Sequence, residues 1–501
     1  MLEMPSLNFL TENFILSSTT FIVVLTLYWY IHVLYSRRNG PPGPLGLPVL
    51  GYLPFLGRKP FLTFDKLKDK YGPIFSLKLG GRNAVVFNSY EAFYEAFVKN
   101  ADAFISRPKD MHINVLNSEQ SNVVYESGVP WKEHRKLIVG TMKDIGVGST
   151  GFESIILTEV QNFLNDIEKY NLNRPVDISP LIKRISTNVM NLALLGKCLN
   201  YDDPIFEIVD KYITHYVDNS ALIPILSFFP WLRHFPGISW CLNQKELEKC
   251  LEKLNKRLNE EIEKSNQSSI NAIVHAYLDK INNPTNGSES IFTNDSFLSN
   301  LRVLYITGVE TTAGSMKWIL KYLAAYPDVQ RKIQEELDRV IGHDRHPTMA
   351  DKLRTPYTEA TLLELQRLVP LVSINVPHSN TSACKIGNYT IAEDSFIIGN
   401  IWAVHHDKEH WGDPDNFRPE RFLDENGRIV NTGHLIPFFH GKRQCLGEGL
   451  AKMEVYLLTA SLLMHFNILK PYDDKPMDLS SHYTTTLAPV ELQIRLVKRA
   501  I

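Results

Sequence analysis

The stretch Pro437-Phe-Phe-His-Gly-Lys-Arg-Gln-Cys-Leu-Gly-Glu-Gly-Leu-Ala-Lys-Met-Glu454 decides how this chain reads. Cys445 lies just ahead of an apolar helical pattern, where the positive end of a helix dipole favours a thiolate. Gly441, four residues earlier, permits a tight turn, and Gly447, two residues later, lets backbone approach a flat ligand closely. Arg443 offers a bidentate fork to a carboxylate. Phe438 can shield the sulfur from water and so tune its donation to a metal. The bland alternative is a buried structural cysteine, which is common core material.

The spaced string Phe438-x-x-Gly441-x-Arg443-x-Cys445-x-Gly447 resembles the haem-binding signature of the cytochrome P450 monooxygenases. The resemblance implies Cys445 as the thiolate ligand of haem iron, with Arg443 pairing a propionate. Such a ligand pushes electron density onto iron and favours O–O cleavage. Phe439 stands where small residues are common in that family.

Working outward, Thr307-Gly-Val-Glu-Thr-Thr312 lies within a long helical pattern. Alone it is ordinary, since helix interiors carry Thr and Glu. In the resemblance it matches the oxygen-activation motif, with Thr311 orienting water and Glu310 as the acid of a proton relay. Thr307 replaces the small residue usual there. Glu364-Leu-Gln-Arg367 puts opposite charges on one helical face, and Phe417-Arg-Pro-Glu-Arg-Phe422 follows. The resemblance implies a buried structural triad of Glu364, Arg367 and Arg421. Trp131 and Arg135 share a helical face at i and i+4 and resemble the family's helix over the haem. Arg107 and His378 fit positions that hold propionates in the mammalian drug-metabolising branch.

The 501 residues suffice for one large core or two to three ordinary domains, and 44% hydrophobic with 22% charged residues is normal for a globular protein. A net charge of −2 gives no reason to expect nucleic acid as a partner. Five scattered cysteines make neither a disulfide framework nor a zinc site, and they suit a reducing compartment. Residues 14–35 carry no Asp, Glu, Lys or Arg. A helix of that length spans roughly 30 Å of hydrocarbon. Arg37 and Arg38 follow it, so the positive-inside rule leaves the remainder in the cytoplasm. A cleaved signal peptide fits less well, because no Lys or Arg precedes the apolar run. Residues 1–38 therefore read as a membrane anchor, 40–48 as a proline-rich hinge, and 39–501 as the catalytic domain.

The expected architecture is mainly α, a cytochrome P450 fold with a helical domain and a smaller β-rich part, plus one N-terminal transmembrane helix. Helices are expected at 64–70, 90–98, 131–139, 152–170, 179–195, 244–264 and 295–326. Strands are expected at 73–79, 83–87, 385–391, 396–398 and 490–496. Pocket segments are placed at 111–124, 222–235, 303–311, 371–376 and 484–488, and the aromatic run Phe228–Pro236 at the membrane-facing substrate entrance. No Gly-x-Gly-x-x-Gly fingerprint is present, so electrons must come from elsewhere. The resemblance implies NADPH-cytochrome P450 reductase, with cytochrome b5 as a further partner, at the endoplasmic reticulum membrane. Lys132, Lys136, Lys143 and Lys442 are its candidate docking face, against the plainer reading of scattered surface charge. The expected reaction inserts one oxygen atom from O₂ into a lipophilic small molecule, either a xenobiotic or a steroid- or isoprenoid-like compound. A haem-thiolate isomerase or dehydratase and a membrane-tethered haem or lipid sensor remain as alternatives.

Overall fold

The computed structural model describes residues 7–36, 38–108, 122–147, 150–170, 174–219, 223–235, 237, 244–264, 272–284 and 291–500. The helices, in chain order, are α1 Leu7–Ser36, α2 Pro60–Tyr71, α3 Tyr90–Tyr94, α4 Gly128–Asp144, α5 Thr150–Ile167, α6 Ser179–Leu195, α7 Ile205–Asn219, α8 Ile223–Phe228 and α9 Gln244–Lys264. They continue as α10 Ile273–Asn282, α11 Asn294–Ala325, α12 Pro327–Val340, α13 Met349–Lys352, α14 Pro356–Leu368, α15 Ile401–His405, α16 Lys408–Trp411 and α17 Glu448–His465. A four-stranded sheet runs in the order β1 (Ile74–Leu79), β2 (Arg82–Phe87), β6 (Phe396–Gly399), β3 (His378–Ser379). β1 and β3 are antiparallel to their neighbours, and β2 is parallel to β6. Three small antiparallel pairs complete the β part: β4 (Cys384–Ile386) with β5 (Tyr389–Ile391), β7 (Phe466–Leu469) with β10 (Arg495–Lys498), and β8 (Ser481–Tyr483) with β9 (Leu487–Pro489).

α11 is the axis of the molecule. It begins at a reciprocal cap: the Thr293 hydroxyl accepts from the Ser296 amide at 3.1 Å, and the Ser296 hydroxyl accepts from the Thr293 amide at 3.0 Å. Its 32 residues would span about 48 Å. It is buried on nearly every side, packed against α6, α7, α17 and the last strands, so its inward polar groups need partners. Asn300 donates to the Ser296 carbonyl at 2.8 Å, and the Tyr305 hydroxyl to Asn191 at 2.7 Å. Gly308 marks the crossing with α6, since a Cβ there would meet Met190 Sδ at 2.3 Å. The glycine that weakens the helix interior thus leaves room for the Met190 side chain of α6.

Two expectations are corrected. The strand placed at 490–496 starts late: β10 begins only at Arg495, preceded by an isolated bridge of Ile494 to Val176, and β9 ends at Pro489, before the expected stretch. The strand placed at 385–391 is a hairpin of β4 and β5 around Gly387, which has φ +54°. The proline-rich segment is strapped onto β1. The Pro41 carbonyl accepts from the Ser76 hydroxyl and the Pro42 carbonyl from the Ser76 amide, both at 2.7 Å. Gly43 lies so close that a Cβ would overlap the Ser76 carbonyl oxygen. Among the described residues no helix is long and apolar enough to cross a membrane. In α1 the side chains of Phe21, Ile22, Val23, Val24, Leu25, Leu27 and Ile31 are exposed.

A candidate haem-thiolate site

The Cys445 loop is built by one positive-φ turn and one close approach. Gly441 has φ +94°, and a Cβ on it would sit 2.0 Å from the Phe97 carbonyl oxygen, so no other residue fits. Phe439 also adopts a positive φ, +63°, which is rare for a bulky side chain. Its ring is held between Phe93, Phe97 and His378 at centroid distances of 4.9–5.1 Å. That packing explains how a large residue stands where small ones are common: the aromatic cluster holds the strained backbone. The Cys445 amide donates to the Phe438 carbonyl at 3.0 Å, and the half-buried Phe438 ring lies beneath Lys452. Gly447 caps α17 with an ordinary φ of −92°, and a Cβ there would meet nothing within 4 Å. The space beside the sulfur is therefore open to a flat group.

Cys445 retains exposed surface, yet burial pushes its thiol pKa up. Together these describe a sulfur inside the fold that faces an internal opening. The Gly447 amide and Arg135 pull the pKa down, and burial outweighs both. In this protein the helix end alone does not secure the thiolate; a bound cation would.

Above the loop three guanidinium groups converge. Arg443 donates to the carbonyls of Ile105 at 3.0 Å and Glu126 at 2.5 Å and stacks 3.9 Å over the Trp131 ring. Arg107 donates to the carbonyls of Val124, Val376 and Pro377 at 2.8–3.0 Å. Arg135 donates to the Gln444 carbonyl at 2.7 Å, tying α4 to the residue before Cys445. Burial lowers all three, Arg107 to about 9 and Arg443 to about 8, the latter also through its two arginine neighbours. Among the described residues Glu126 is the carboxylate that counters Arg443. Buried charges are normally paired, so this cluster is short of anions and suits a group bearing carboxylates. The residues present therefore fit haem: a sulfur at an opening, a glycine leaving flat space, and cations without enough acid.

His378 lies buried beside the same arginines. Its Nδ1 lies 2.7 Å from the Phe104 carbonyl, which can only accept, so Nδ1 carries the proton. Burial and then Arg107 push the ring's pKa well below its usual value. Glu126, the counter-charge beside the arginines, went unnoticed in the sequence because no helical spacing or motif links it to Arg443.

Thr307 is exposed in the middle of α11, and Gly308, Glu310 and Thr311 are partly so, while Ile306, Val309 and Thr312 are buried. One face of α11 thus opens inward. The Thr311 hydroxyl donates back to the Thr307 carbonyl, and the Thr307 hydroxyl to the Val303 carbonyl at 2.8 Å. Thr312 points into the core and cannot substitute for Thr311. Burial raises the Glu310 pKa, opposed by Lys183 and Lys317, so Glu310 holds its proton to higher pH than a free carboxylate. Leu371 reaches within 2.9 Å of where a Cβ on Gly314 would stand, and the Leu487 carbonyl accepts from Trp318 at 2.8 Å. Two of the expected pocket segments, 371–376 and 484–488, therefore meet beside α11 at Gly314 and Trp318, just beyond the third, 303–311. Residues 111–121 and 222, within two others, lie outside the described residues.

Glu364, Arg367 and Arg421 are buried together. Arg367 grips both Glu364 oxygens at 2.7 and 3.0 Å, and Arg421 adds a contact at 3.0 Å. The remaining guanidinium donors reach the carbonyls of His405, Pro414, Trp411 and Asp413. A cleft of about 370 Å³ between α4 and α10, lined by Lys136, Thr141, His275 and Asp279, contains none of these motif residues.

Comparison with known proteins agrees with this geometry. Residues 41–496 match the family described as Cytochrome P450. The chain is 34% identical to the steroid 17-alpha-hydroxylase/17,20 lyase of Squalus acanthias, over 88% of each chain. It is 33% identical to the protein of the same name from Rana dybowskii, over 89% of each. It is 32% identical to cytochrome P450 2U1 of Bos taurus, over 92% of this chain and 90% of that one. With a cysteine loop, an arginine cluster and an opened central helix in one match spanning nearly the whole chain, this protein belongs to the cytochrome P450 family, whose members are haem-dependent monooxygenases supplied with electrons by a redox partner.

Proposed function

We propose that this enzyme hydroxylates a lipophilic small molecule of the steroid class at the endoplasmic reticulum membrane, with electrons from NADPH through a separate reductase. The observation that carries it is the accessible face of α11 at Thr307 and Thr311, in the middle of an otherwise buried helix. The steroid hydroxylases among its relatives supply the substrate class. When bound, haem iron supplies the activation of dioxygen and the electron path to it. Cys445 would hold the iron, and Arg443, Arg107 and Arg135 would pair the propionates, with Trp131 bracing Arg443. Thr311 would order water at the opening, and Glu310, with its raised pKa, would deliver protons to it. The exposed Lys132, Lys136 and Lys143 on α4, with Lys442 beside the cysteine loop, suit an acidic partner; cytochrome b5 would meet the same face. A panel of steroids and xenobiotics given to the enzyme with reductase, with products read by mass spectrometry, tests the class. Turnover confined to xenobiotics would sink the steroid reading.

Thr311→Ala should keep the carbon monoxide spectrum of the wild type. A positioned proton donor contributes roughly 10²–10⁴-fold, and the Thr307 hydroxyl one turn away offsets part of the loss, so product per NADPH should fall about tenfold. Hydrogen peroxide should rise in compensation. An unchanged ratio of product to NADPH would remove Thr311 from the proton path. Thr307→Ala with Thr311→Ala separates rescue from irrelevance.

The exposed apolar side chains of α1 suit burial in lipid, and the Phe228–Phe235 run, with Trp231 and Phe235 exposed, suits a second, shallower contact. Deleting residues 1–38 should shift most of the protein from the membrane to the salt-extracted fraction with haem content retained. The strap at 41–43 keeps its bonds to Ser76 in that variant. Protease protection of the catalytic domain in sealed microsomes would contradict the topology.

A further inference from the structure

α9 packs along α7, and its residues Glu246 and Cys250 are four apart, hence on one face. His215 of α7 stands opposite them. One ligand atom from each of His215, Glu246 and Cys250 lies within 4.8 Å of the others. Cys250 is buried in the seam, and His215 and Glu246 are half-buried at its rim. Buried Leu247, Tyr212 and Tyr216 flank the group, so the two helices that carry the ligands are fixed by their own packing.

We propose that His215, Glu246 and Cys250 form a binding site for a divalent transition ion of the zinc class, joining α7 to α9. The donor set is one sulfur, one imidazole and one carboxylate. Sulfur and imidazole select against Mg²⁺ and Ca²⁺, which take oxygen ligands. Tetrahedral zinc, bound at about 2.0–2.3 Å, brings its ligand atoms to about 3.4–3.8 Å from one another. Side-chain rotation of roughly an ångström closes the observed spread to that range, with no helix movement. Water fills the fourth position. On binding, the Cys250 sulfur takes the metal, and its proton leaves to solvent. Glu246 exchanges its 3.3 Å ion pair with Lys249 for the metal. Lys211 and Lys253 stand near Cys250, and their charge weakens the site without blocking it, because Lys211 pairs with Glu207. The ion would tie together the helices on either side of the Phe228–Phe235 segment. This inference uses no residue of the haem site, so it can fail while the monooxygenase reading stands.

Equilibrium dialysis of the full-length haem-loaded enzyme against Zn²⁺ tests it, with excess Mg²⁺ present. The wild type should hold one more zinc per chain than the His215→Ala variant. Cys250→Ser should weaken that site by more than the roughly 10–100-fold that loss of an outer-shell partner costs a metal site. Cys384→Ser should leave it unchanged. An unaltered carbon monoxide spectrum certifies that each variant is folded. If Cys250→Ser fails that check, His215→Ala, changed at a half-buried rim position, still decides. Hydrogen exchange gives a second reading: Zn²⁺ should slow exchange in residues 205–219 and 244–264 of the wild type and not of His215→Ala. Equal zinc retention by wild type and His215→Ala, or no zinc bound by the wild type, overturns the proposal.

Discussion

Replacing Cys445 with histidine is expected to abolish the reduced carbon monoxide band characteristic of a thiolate ligand and to bring monooxygenase turnover below detection. Cys445 alone among the described cysteines combines accessible surface with a loop that opens onto flat space. Cys198 sits beside Glu159, and burial pushes its thiol up to about 12, which leaves it inert. Burial also raises Cys250 and Cys384. Serine at 198, 241, 250 or 384 should therefore leave the band in place. The histidine variant should still fold, because the loop is held by Gly441 against Phe97, by the Phe439 cluster and by Arg135, and none of these uses the sulfur. A wild-type spectrum of the histidine-ligated kind, or a thiolate band surviving in Cys445→His, would remove Cys445 from the iron.

Glu364→Ala should be the most damaging change outside the cysteine loop. Glu364 and Arg367 have no accessible surface, and Arg421 has almost none. Glu364 also accepts from the Arg418 amide at 3.0 Å, so one carboxylate fixes α14 to the segment before the cysteine loop. Its removal strands two buried guanidinium groups, at a cost of about 3–5 kcal/mol. Domains of this kind hold only about 5–15 kcal/mol in total. The expected result is little haem-loaded protein and a markedly lower melting temperature, read by thermal denaturation and by the yield of the carbon monoxide complex. Arg367→Lys should also be severe, since one ammonium cannot reproduce the fork on Glu364 together with the bonds to His405 and Pro414. A Glu364→Ala protein with wild-type stability would show that the triad's desolvation cost outweighs its attraction.

Residues linked by spacing were legible in the sequence. Cys445, Gly441, Arg443 and Gly447 lie within seven residues, and one turn sets their geometry. Glu364 with Arg367, and Trp131 with Arg135, are helical neighbours whose shared face follows from 3.6 residues per turn. Helix existence was legible for the same reason: α9 and α11 follow their periodicity almost to the residue. What spacing could not supply was a relation across distance; the contact of Arg421 with Glu364 was expected only from the family resemblance. Phe439 holds a strained backbone only because Phe93 and Phe97 close on it from a distant helix. Arg443 lies in a field set by Arg107, Arg135 and Glu126, from segments far apart in the chain. Burial and Arg107 lower the His378 pKa by more than its bond to Phe104 raises it. Local spacing fixes which side chains share a face. Burial and charge are sums over every segment that packs nearby, and those sums exist only once the chain has folded.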